Sequence, residues 1–136
     1  MSPVSLSYVS IFTKDVAALP TFYVEVFGLA EIESSRSERY RELTLDALKL
    51  GFPFVDAYDT LDMGDLADPA GVRSMMTFAV ADPDAVEDLT GKAVAHGARL
   101  VKPAFQTPFG QYLSVVLDPE GNAIRISATV PSSTFS

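Results

Sequence analysis

The stretch "MMTFAVADPDAVEDLTGKAVAHG" (residues 75–97) is typical of a strand that leads directly into a helix. Asp82 suits the N-cap of that helix, Pro83 suits its first position and Gly97 suits its end. Three strand-like runs follow it: "RLVKPAF" (residues 99–105), "QYLSVVL" (residues 111–117) and "NAIRIS" (residues 122–127). This part of the chain therefore predicts the order β-α-β-β-β.

The same order of elements is predicted earlier in the chain. "LSYVSIFT" (residues 6–13) alternates and is rich in β-branched and aromatic residues, which predicts a strand. Asp15 then suits the N-cap of a helix that ends at Gly28, and Pro20 is expected to distort the first turns of that helix. Three strand-like runs follow: "LAEIES" (residues 29–34), "YRELTL" (residues 40–45) and "LKLGFPF" (residues 48–54).

The two predicted halves match each other at fixed offsets. Adding 67 maps the first strand onto the strand at residue 75 and maps the capping Asp15 onto Asp82. Adding 76 maps "DALKL" (residues 46–50) onto "NAIRI" (residues 122–126). Internal duplication of one βαβββ unit accounts for both matches. Because neither unit can bury its sheet alone, we expect an α+β fold with one curved, cup-shaped mixed sheet and the helices outside it.

The chain of 136 residues has the length of one domain. Residues 55–73 carry five aspartates, two glycines and a proline without a clear period, which indicates a mostly exposed linker. We expect a single domain over residues 1–136. Its parts are unit one at about residues 6–54, the linker at about 55–73, unit two at about 74–128 and a C-terminal tail at 129–136.

The composition excludes several classes of function. A formal net charge of −8 disfavours nucleic acid as a partner, because nonspecific binding to phosphates depends on clustered Lys and Arg. No apolar run approaches the ~20 residues that span a bilayer, and the first residues do not have the pattern of a signal peptide. We therefore expect a cytoplasmic protein that uses no membrane. The absence of cysteine excludes disulfides, thiolate metal sites and a cysteine nucleophile.

Three segments together resemble the vicinal oxygen chelate superfamily, which contains glyoxalases, bleomycin-resistance proteins and extradiol dioxygenases. The segments are "YVSIFTKDVAALPTFYVEVFGL" (residues 8–29), "FAVADPDAVEDL" (residues 78–89) and "FGQYLSVVLDPEGNAIRI" (residues 109–126). The resemblance implies an open, cup-shaped sheet built from paired βαβββ units. It also implies that enzymes of this family hold a divalent metal on the concave face, with His, Glu or Gln as ligands.

By that resemblance, the four metal-binding positions are Tyr8, Lys49, Met75 and Arg125. Lys and Arg have donors only, Met offers a weak soft sulfur, and a Tyr ligand must lose a proton whose pKa is ordinarily about 10. We therefore expect no metal and no other cofactor. The single histidine, His96, is expected to interact with the C-terminus of the second predicted helix rather than to act in catalysis.

A cup without a metal can still hold a ligand. Alternation places Tyr8 and Ser10 on one face of the first strand, and Met75 and Thr77 on one face of the fifth strand. By the resemblance, Gln111 and Tyr112 belong to a loop beside the pocket mouth. Such walls suit a flat, mostly apolar and aromatic molecule. The alternative interpretation is that these side chains fill the core.

The two cations, Lys49 and Arg125, lie at matching points of the two units under the offset of 76. If both face the pocket, they can bind a carboxylate, a phosphate or a phenolate. The alternative, which we favour, is that they pair with Glu31, Glu33 or Glu42 on neighbouring strands.

Two functional hypotheses follow. The first is a metal-independent small-molecule-binding protein that resembles bleomycin-resistance proteins, forms a homodimer and sequesters an aromatic drug or metabolite. The second is a diverged glyoxalase-like lyase, isomerase or dioxygenase that acts on a small carbonyl or aromatic compound. In that case Tyr8, Glu42 or Tyr112 would do the acid-base work.

Overall fold

The computed structural model describes residues 6–66, 72 and 74–131, and it divides the chain into two units, Met1–Ala70 and Gly71–Ser136. Each unit contains one four-stranded mixed sheet, which confirms the α+β class and the βαβββ order of each half. The predicted tail beyond residue 131 and part of the predicted linker, residues 67–71 and 73, lie outside the described residues. No helix in the described part is both long and apolar enough to span a membrane.

In unit one, the sheet has the strand order β1-β4-β3-β2, with β1 parallel to β4 and the other pairs antiparallel. Its elements are β1 (Val9–Ser10), α1 (Ala18–Phe27), β2 (Ala30–Glu31), β3 (Tyr40–Leu45), β4 (Leu48–Pro53) and α2 (Ala57–Thr60).

Unit two repeats this topology with the strand order β5-β8-β7-β6, and β5 is parallel to β8. Its elements are β5 (Met75–Ala79), α3 (Pro83–Ala95), β6 (Arg99–Gln106), β7 (Gln111–Leu117) and β8 (Ala123–Thr129).

Several predicted boundaries in unit one are wrong. The first strand was expected over eight residues but has two, although the Ile11 and Thr13 N–H groups still donate hydrogen bonds of 2.8 and 3.0 Å to the carbonyl oxygens of Gly51 and Pro53 in β4. The predicted strand at residues 29–34 is shortened because the chain turns into a 3₁₀ helix at Glu33–Ser35. The predicted linker contains α2 and a second 3₁₀ helix at Gly64–Leu66. Local hydrogen bonding overrides strand propensity at these points.

The predicted N-cap of α3 and the predicted end of α1 are confirmed. Asp82 caps α3, since its carboxylate accepts a hydrogen bond of 2.9 Å from the Ala85 N–H. The N–H groups of Ala17 and Ala18 donate hydrogen bonds of 3.0 and 2.8 Å to the Asp15 carboxylate, but α1 begins at Ala18 and its N-cap position is Ala17, two residues after the predicted Asp15. Gly28 ends that helix with a φ of 75°. Pro20 is the third residue of α1. Helical hydrogen bonds lie on both sides of it, from the Leu19 N–H to the Asp15 carbonyl oxygen at 3.2 Å and from the Thr21 N–H to the Ala17 carbonyl oxygen at 3.3 Å, so Pro20 removes the hydrogen bond between them.

In each unit, one face of the sheet packs against a helix and forms the core. In unit one, the Tyr23 ring of α1 lies 5.5 Å from the Phe52 ring of β4, and both side chains are buried. In unit two, Ile124 and Ile126 of β8 are fully buried, while Arg125 between them is exposed. Because side chains alternate along a strand, Arg125 lies on the face away from the core. That open face carries the candidate site.

Candidate functional site

The open face of the sheet in unit two carries a groove of about 520 Å³. Strands β5 to β8 and the loop between β6 and β7 supply its walls. Its lining residues are Met75, Lys102, Phe105, Thr107, Phe109, Gln111, Leu113, Val115 and Arg125. Three of the predicted site residues, Met75, Gln111 and Arg125, therefore meet in one groove.

Apolar side chains supply the floor and the rim of the groove. Leu113 and Val115 alternate along β7, and Phe105 pairs with Leu113 across the β6–β7 ladder. Phe109 lies in the turn before β7 and has 85% of its surface exposed. A rim aromatic that packs on no core gives the groove a second ring surface besides Phe105.

Arg125 is held in place by a neighbour on β5. Thr77 and Arg125 are partners in the parallel ladder, and the Arg125 Nε–H donates a hydrogen bond of 3.0 Å to the Thr77 hydroxyl. Within the described residues, the two terminal amino groups of this guanidinium have no hydrogen-bond or ion-pair partner. Thr77 thus belongs to the site as a neighbour that orients Arg125 rather than as a wall of the groove.

The predicted cross-strand pairing of Lys49 and Arg125 with glutamates is wrong. Glu31 instead binds Arg36 through two hydrogen bonds of 2.7 and 2.6 Å, and it lies 3.8 Å from the guanidinium of Arg41. The Arg36 hydrogen bond holds the pKa of the Glu31 carboxyl below its ordinary value, and the charges of Arg36 and Arg41 act in the same direction against the effect of burial. In the described parts of the chain, neither Lys49 nor Arg125 has a glutamate partner.

Gln111 and Tyr112 were predicted to share the pocket, but they point to opposite faces of β7 because side chains alternate along a strand. The Ser127 hydroxyl donates a hydrogen bond to the Gln111 side-chain carbonyl, which leaves the Gln111 amino group as a donor. The Tyr112 hydroxyl donates to the Glu87 carboxylate of α3, and this hydrogen bond raises the pKa of Tyr112, with smaller effects of burial and nearby acids. Tyr112 therefore lies outside this groove, and its contact with a ligand stays a prediction.

Several groove residues were not predicted. The Lys102 ammonium lies 4.2 Å from the centre of the Phe105 ring, a cation–π distance that places its charge over the aromatic wall. The Thr107 hydroxyl oxygen accepts hydrogen bonds of 3.3 and 3.2 Å from the N–H groups of Phe109 and Gln111, which fixes the loop. The alternation of side chains along β7 could have predicted Leu113 and Val115 as groove residues, because they lie on the same face as Gln111. The position of Lys102 depends on irregularities of register in β6 that carry no sequence signal.

The remaining predicted residues, Tyr8, Ser10 and Lys49, lie in unit one. Ser10 pairs with Gly51, and Lys49, two residues before Gly51, lies on the same face of the sheet. Tyr8 immediately precedes β1 and is about half exposed. None of these three side chains lines the pocket that Glu38, Arg39 and Phe54 form in the described part of unit one.

The predicted equivalence of Lys49 and Arg125 is also wrong. Ser10 pairs with Gly51, whereas Thr77, which lies 67 residues after Ser10, pairs with Arg125. Gly51 is thus the counterpart of Arg125. The offset of 76 fails because two residues connect β3 to β4, whereas five residues connect β7 to β8.

Chemistry at the four family metal positions does not fit a divalent ion. Arg125 is a donor to Thr77, and its counterpart in unit one, Gly51, has no side chain, whereas the predicted Lys49 is a cation. Tyr8 and Met75 add neither a carboxylate nor an imidazole. No group of three or more His, Asp or Glu side chains in the described ranges has the spacing of a metal site. The His96 Nδ1 lies 2.8 Å from the Lys92 carbonyl oxygen at the end of α3, as expected for a helix C-terminus.

Comparisons with known proteins agree with the fold. A family model described as the Glyoxalase/Bleomycin resistance protein/Dioxygenase superfamily matches residues 5–126. A glyoxalase/bleomycin resistance protein/dioxygenase family enzyme from Burkholderia phytofirmans PsJN is 38% identical, with a TM-score of 0.90, over 93% of this chain and 100% of that chain. A comparison with curated proteins gave no match.

Two other solved structures share the fold at lower identity. Lactoylglutathione lyase from Agrobacterium tumefaciens is 18% identical, with a TM-score of 0.69, over 94% of this chain and 96% of that chain. TioX from Micromonospora sp. ML1 is 19% identical, with a TM-score of 0.64, over 93% of this chain and 100% of that chain. These two likenesses extend to the fold alone.

Proposed function

Because the chain belongs to the glyoxalase/bleomycin resistance protein/dioxygenase superfamily, we propose that it is a metal-independent small-molecule-binding protein that holds a planar aromatic molecule. The groove of unit two is the binding site. The observation that carries the proposal is that two phenylalanines, Phe105 and Phe109, line the groove together with the aliphatic side chains of Leu113 and Val115. The role that follows is sequestration of an aromatic drug or metabolite, as the resemblance to bleomycin-resistance proteins implies.

The dimensions of the groove support this proposal. A volume of about 520 Å³ lies within the range of ~300–1,000 Å³ that small-molecule sites occupy. Flat rings gain from offset stacking on aromatic walls in addition to the burial of their area. Leu113, Val115 and Met75 supply an apolar surface without polar atoms that a ring would leave unpaired.

The groove offers little for proton-transfer chemistry. Its lining contains no histidine and no carboxylate, the side chains that most often serve as general acids or bases. Of the three residues considered for acid-base catalysis, Tyr112 lies on the opposite face of β7, and its hydroxyl donates a hydrogen bond to the Glu87 carboxylate. Tyr8 and Glu42 are not among the residues that line this groove. Binding is therefore the function that this geometry supports best.

A thermal-shift screen of planar aromatic compounds, followed by calorimetric titration of the best ligand, tests the proposal. Replacing Phe109 with Ala should weaken binding by ~1–3 kcal/mol, the range for the loss of an aromatic contact, because the exposed ring contributes to the ligand site and not to the core. The matched control is Leu61→Ala, which removes an exposed apolar side chain of unit one. The proposal fails if no planar compound raises the unfolding temperature, or if the two variants affect binding equally.

A further inference from the structure

The charge of the groove is opposite to the charge of the chain. The protein has 18 acidic and 10 basic side chains, yet the groove lining contains Lys102 and Arg125 and no Asp or Glu. A ligand that approaches this surface therefore meets a positive site on a negative protein. Such a contrast attracts anions to one place and repels them elsewhere on the surface.

Arg125 is oriented as an anion-binding side chain. Its Nε–H is taken by Thr77 at 3.0 Å, which fixes the guanidinium plane from one edge. The terminal amino groups have no partner in the described part of the chain, so a pair of N–H donors is left for an incoming oxyanion. A planar guanidinium matches the two oxygens of a carboxylate. Because Thr77 already orders the side chain, less conformational entropy is lost on binding.

The other polar side chains of the groove also present donors. Ser127 occupies the carbonyl oxygen of Gln111, so the amino group of that amide remains for a ligand. The Thr107 hydroxyl oxygen already accepts hydrogen bonds from two backbone N–H groups. Lys102 lies over the Phe105 ring, next to the surface on which a ligand ring would stack. The side-chain acceptors are thus engaged, whereas the charged donors are available.

From this arrangement we infer that the ligand is an aromatic carboxylate, whose ring packs between the phenylalanines while its carboxylate binds Arg125. This inference rests on the proposed function and adds the chemical class of the ligand. An uncharged ring of the same shape fills the same walls but leaves the two cations unpaired. The groove should therefore discriminate between acids and their neutral analogues.

The test compares 2-naphthoate with 2-naphthamide, which have the same ring system and differ in charge. By calorimetric titration, the intact protein should bind the acid about 10-fold to 100-fold more tightly than the amide, since hydrogen bonds to charged groups are the stronger kind. Arg125→Gln should remove this preference, so that both probes bind with similar affinity. Arg99→Gln is the matched control, because it removes an equal charge from an exposed residue of the same unit and should keep the preference.

Thr77 supplies a second readout. Thr77→Val should reduce the preference for the acid, and Thr77→Ser, which keeps the hydroxyl, should restore it. Rescue by Ser is expected of a positioning residue and not of one that merely packs. If Arg125→Gln does not fold, salt titration of the unmodified protein decides: raising KCl from about 0.05 to 0.5 M must weaken naphthoate binding and not naphthamide binding.

The outcomes separate the two proposals. Equal affinity for the acid and the amide would refute the inference that the ligand is a carboxylate, but it would be consistent with the proposed aromatic binding site. A preference that persists in Arg125→Gln, or naphthoate binding that is insensitive to salt, overturns the role of Arg125. If neither probe binds at millimolar concentration, both the carboxylate inference and the proposed groove function fail.

Discussion

Replacing Thr90 with Val tests how α3 is joined to the sheet of unit two. The Thr90 hydroxyl oxygen lies 2.6 Å from the Val86 carbonyl oxygen and 2.6 Å from the Ser114 hydroxyl oxygen of β7. A hydroxyl has one proton, and a carbonyl cannot donate. The Thr90 proton must therefore go to Val86, and Ser114 must donate to Thr90. The Ser114 side chain is fully buried, and its hydroxyl makes no other hydrogen bond with the described residues.

This direction of donation predicts unequal effects of the two substitutions. Thr90→Val leaves the Ser114 donor buried without an acceptor, which costs ~1–3 kcal/mol of unfolding free energy. Ser114→Ala removes the donor, while Thr90 keeps Val86 as its acceptor, so only the net value of ~0.5–1.5 kcal/mol is lost. The double variant has no buried hydroxyl donor without an acceptor, because the Ser114 hydroxyl is removed together with that of Thr90. Its cost should be close to that of Ser114→Ala alone and about 1–3 kcal/mol below the sum of the single costs.

Urea unfolding, followed by circular dichroism, measures all three variants. With a slope of ~2 kcal/mol per molar urea, a loss of ~2 kcal/mol lowers the midpoint by about 1 M. Thr21→Val is the matched control: the Thr21 hydroxyl makes the same bond to the carbonyl four residues earlier, at 2.7 Å, but it is exposed and water can replace it. The control should change stability by no more than ~0.5 kcal/mol. Additive single costs, or a Thr90→Val cost equal to that of the control, would refute the reasoning.

Three other predictions concern metal, assembly and pH. Elemental analysis after incubation with excess zinc, nickel, manganese and iron should find no stoichiometric ion, because the family ligand positions provide no carboxylate or imidazole; one tightly held ion per chain contradicts this. Sedimentation should give the mass of a homodimer, since β1 and β5 are edge strands with exposed apolar side chains; a monomer at micromolar concentration contradicts it. Because the pKa of Glu31 is lower in the folded state than its ordinary value of 4.5, ionised Glu31 stabilises the fold at pH values above 4.5. This stabilisation is lost as the pH falls through the folded-state pKa. Glu31→Gln should therefore flatten the acid limb of the stability profile, and an unchanged limb would exclude that role.

The helix ends and the repeated order of elements could be predicted because they depend on local chemistry. The Asp15 and Asp82 carboxylates accept hydrogen bonds from N–H groups at the starts of helices, and Gly28 adopts a positive φ that other residues resist. These signals need no knowledge of distant residues. The short first strand, in contrast, depends on which backbone groups of β4 it meets, and propensity does not report this.

The site was predicted only in part because a strand face requires the correct register. Met75, Gln111 and Arg125 were assigned to a pocket from alternation and resemblance, and they do line one groove. Tyr112 was included as a loop residue, but β7 already begins at Gln111, so its side chain points to α3. One residue of displacement moves a side chain to the other face of a sheet.

The two units also differ at the position that Arg125 occupies in unit two. Unit one has Gly51 where unit two has Arg125, and a Cβ atom built on Gly51 would lie 2.6 Å from the Tyr40 hydroxyl oxygen. The Tyr40 ring therefore covers the point from which the cation of unit two projects. Burial raises the pKa of Tyr40, and the charges of Glu42 and Tyr8 add to this effect, so the hydroxyl stays neutral. One repeat thus fills this position with a neutral side chain, whereas the other places the Arg125 guanidinium there.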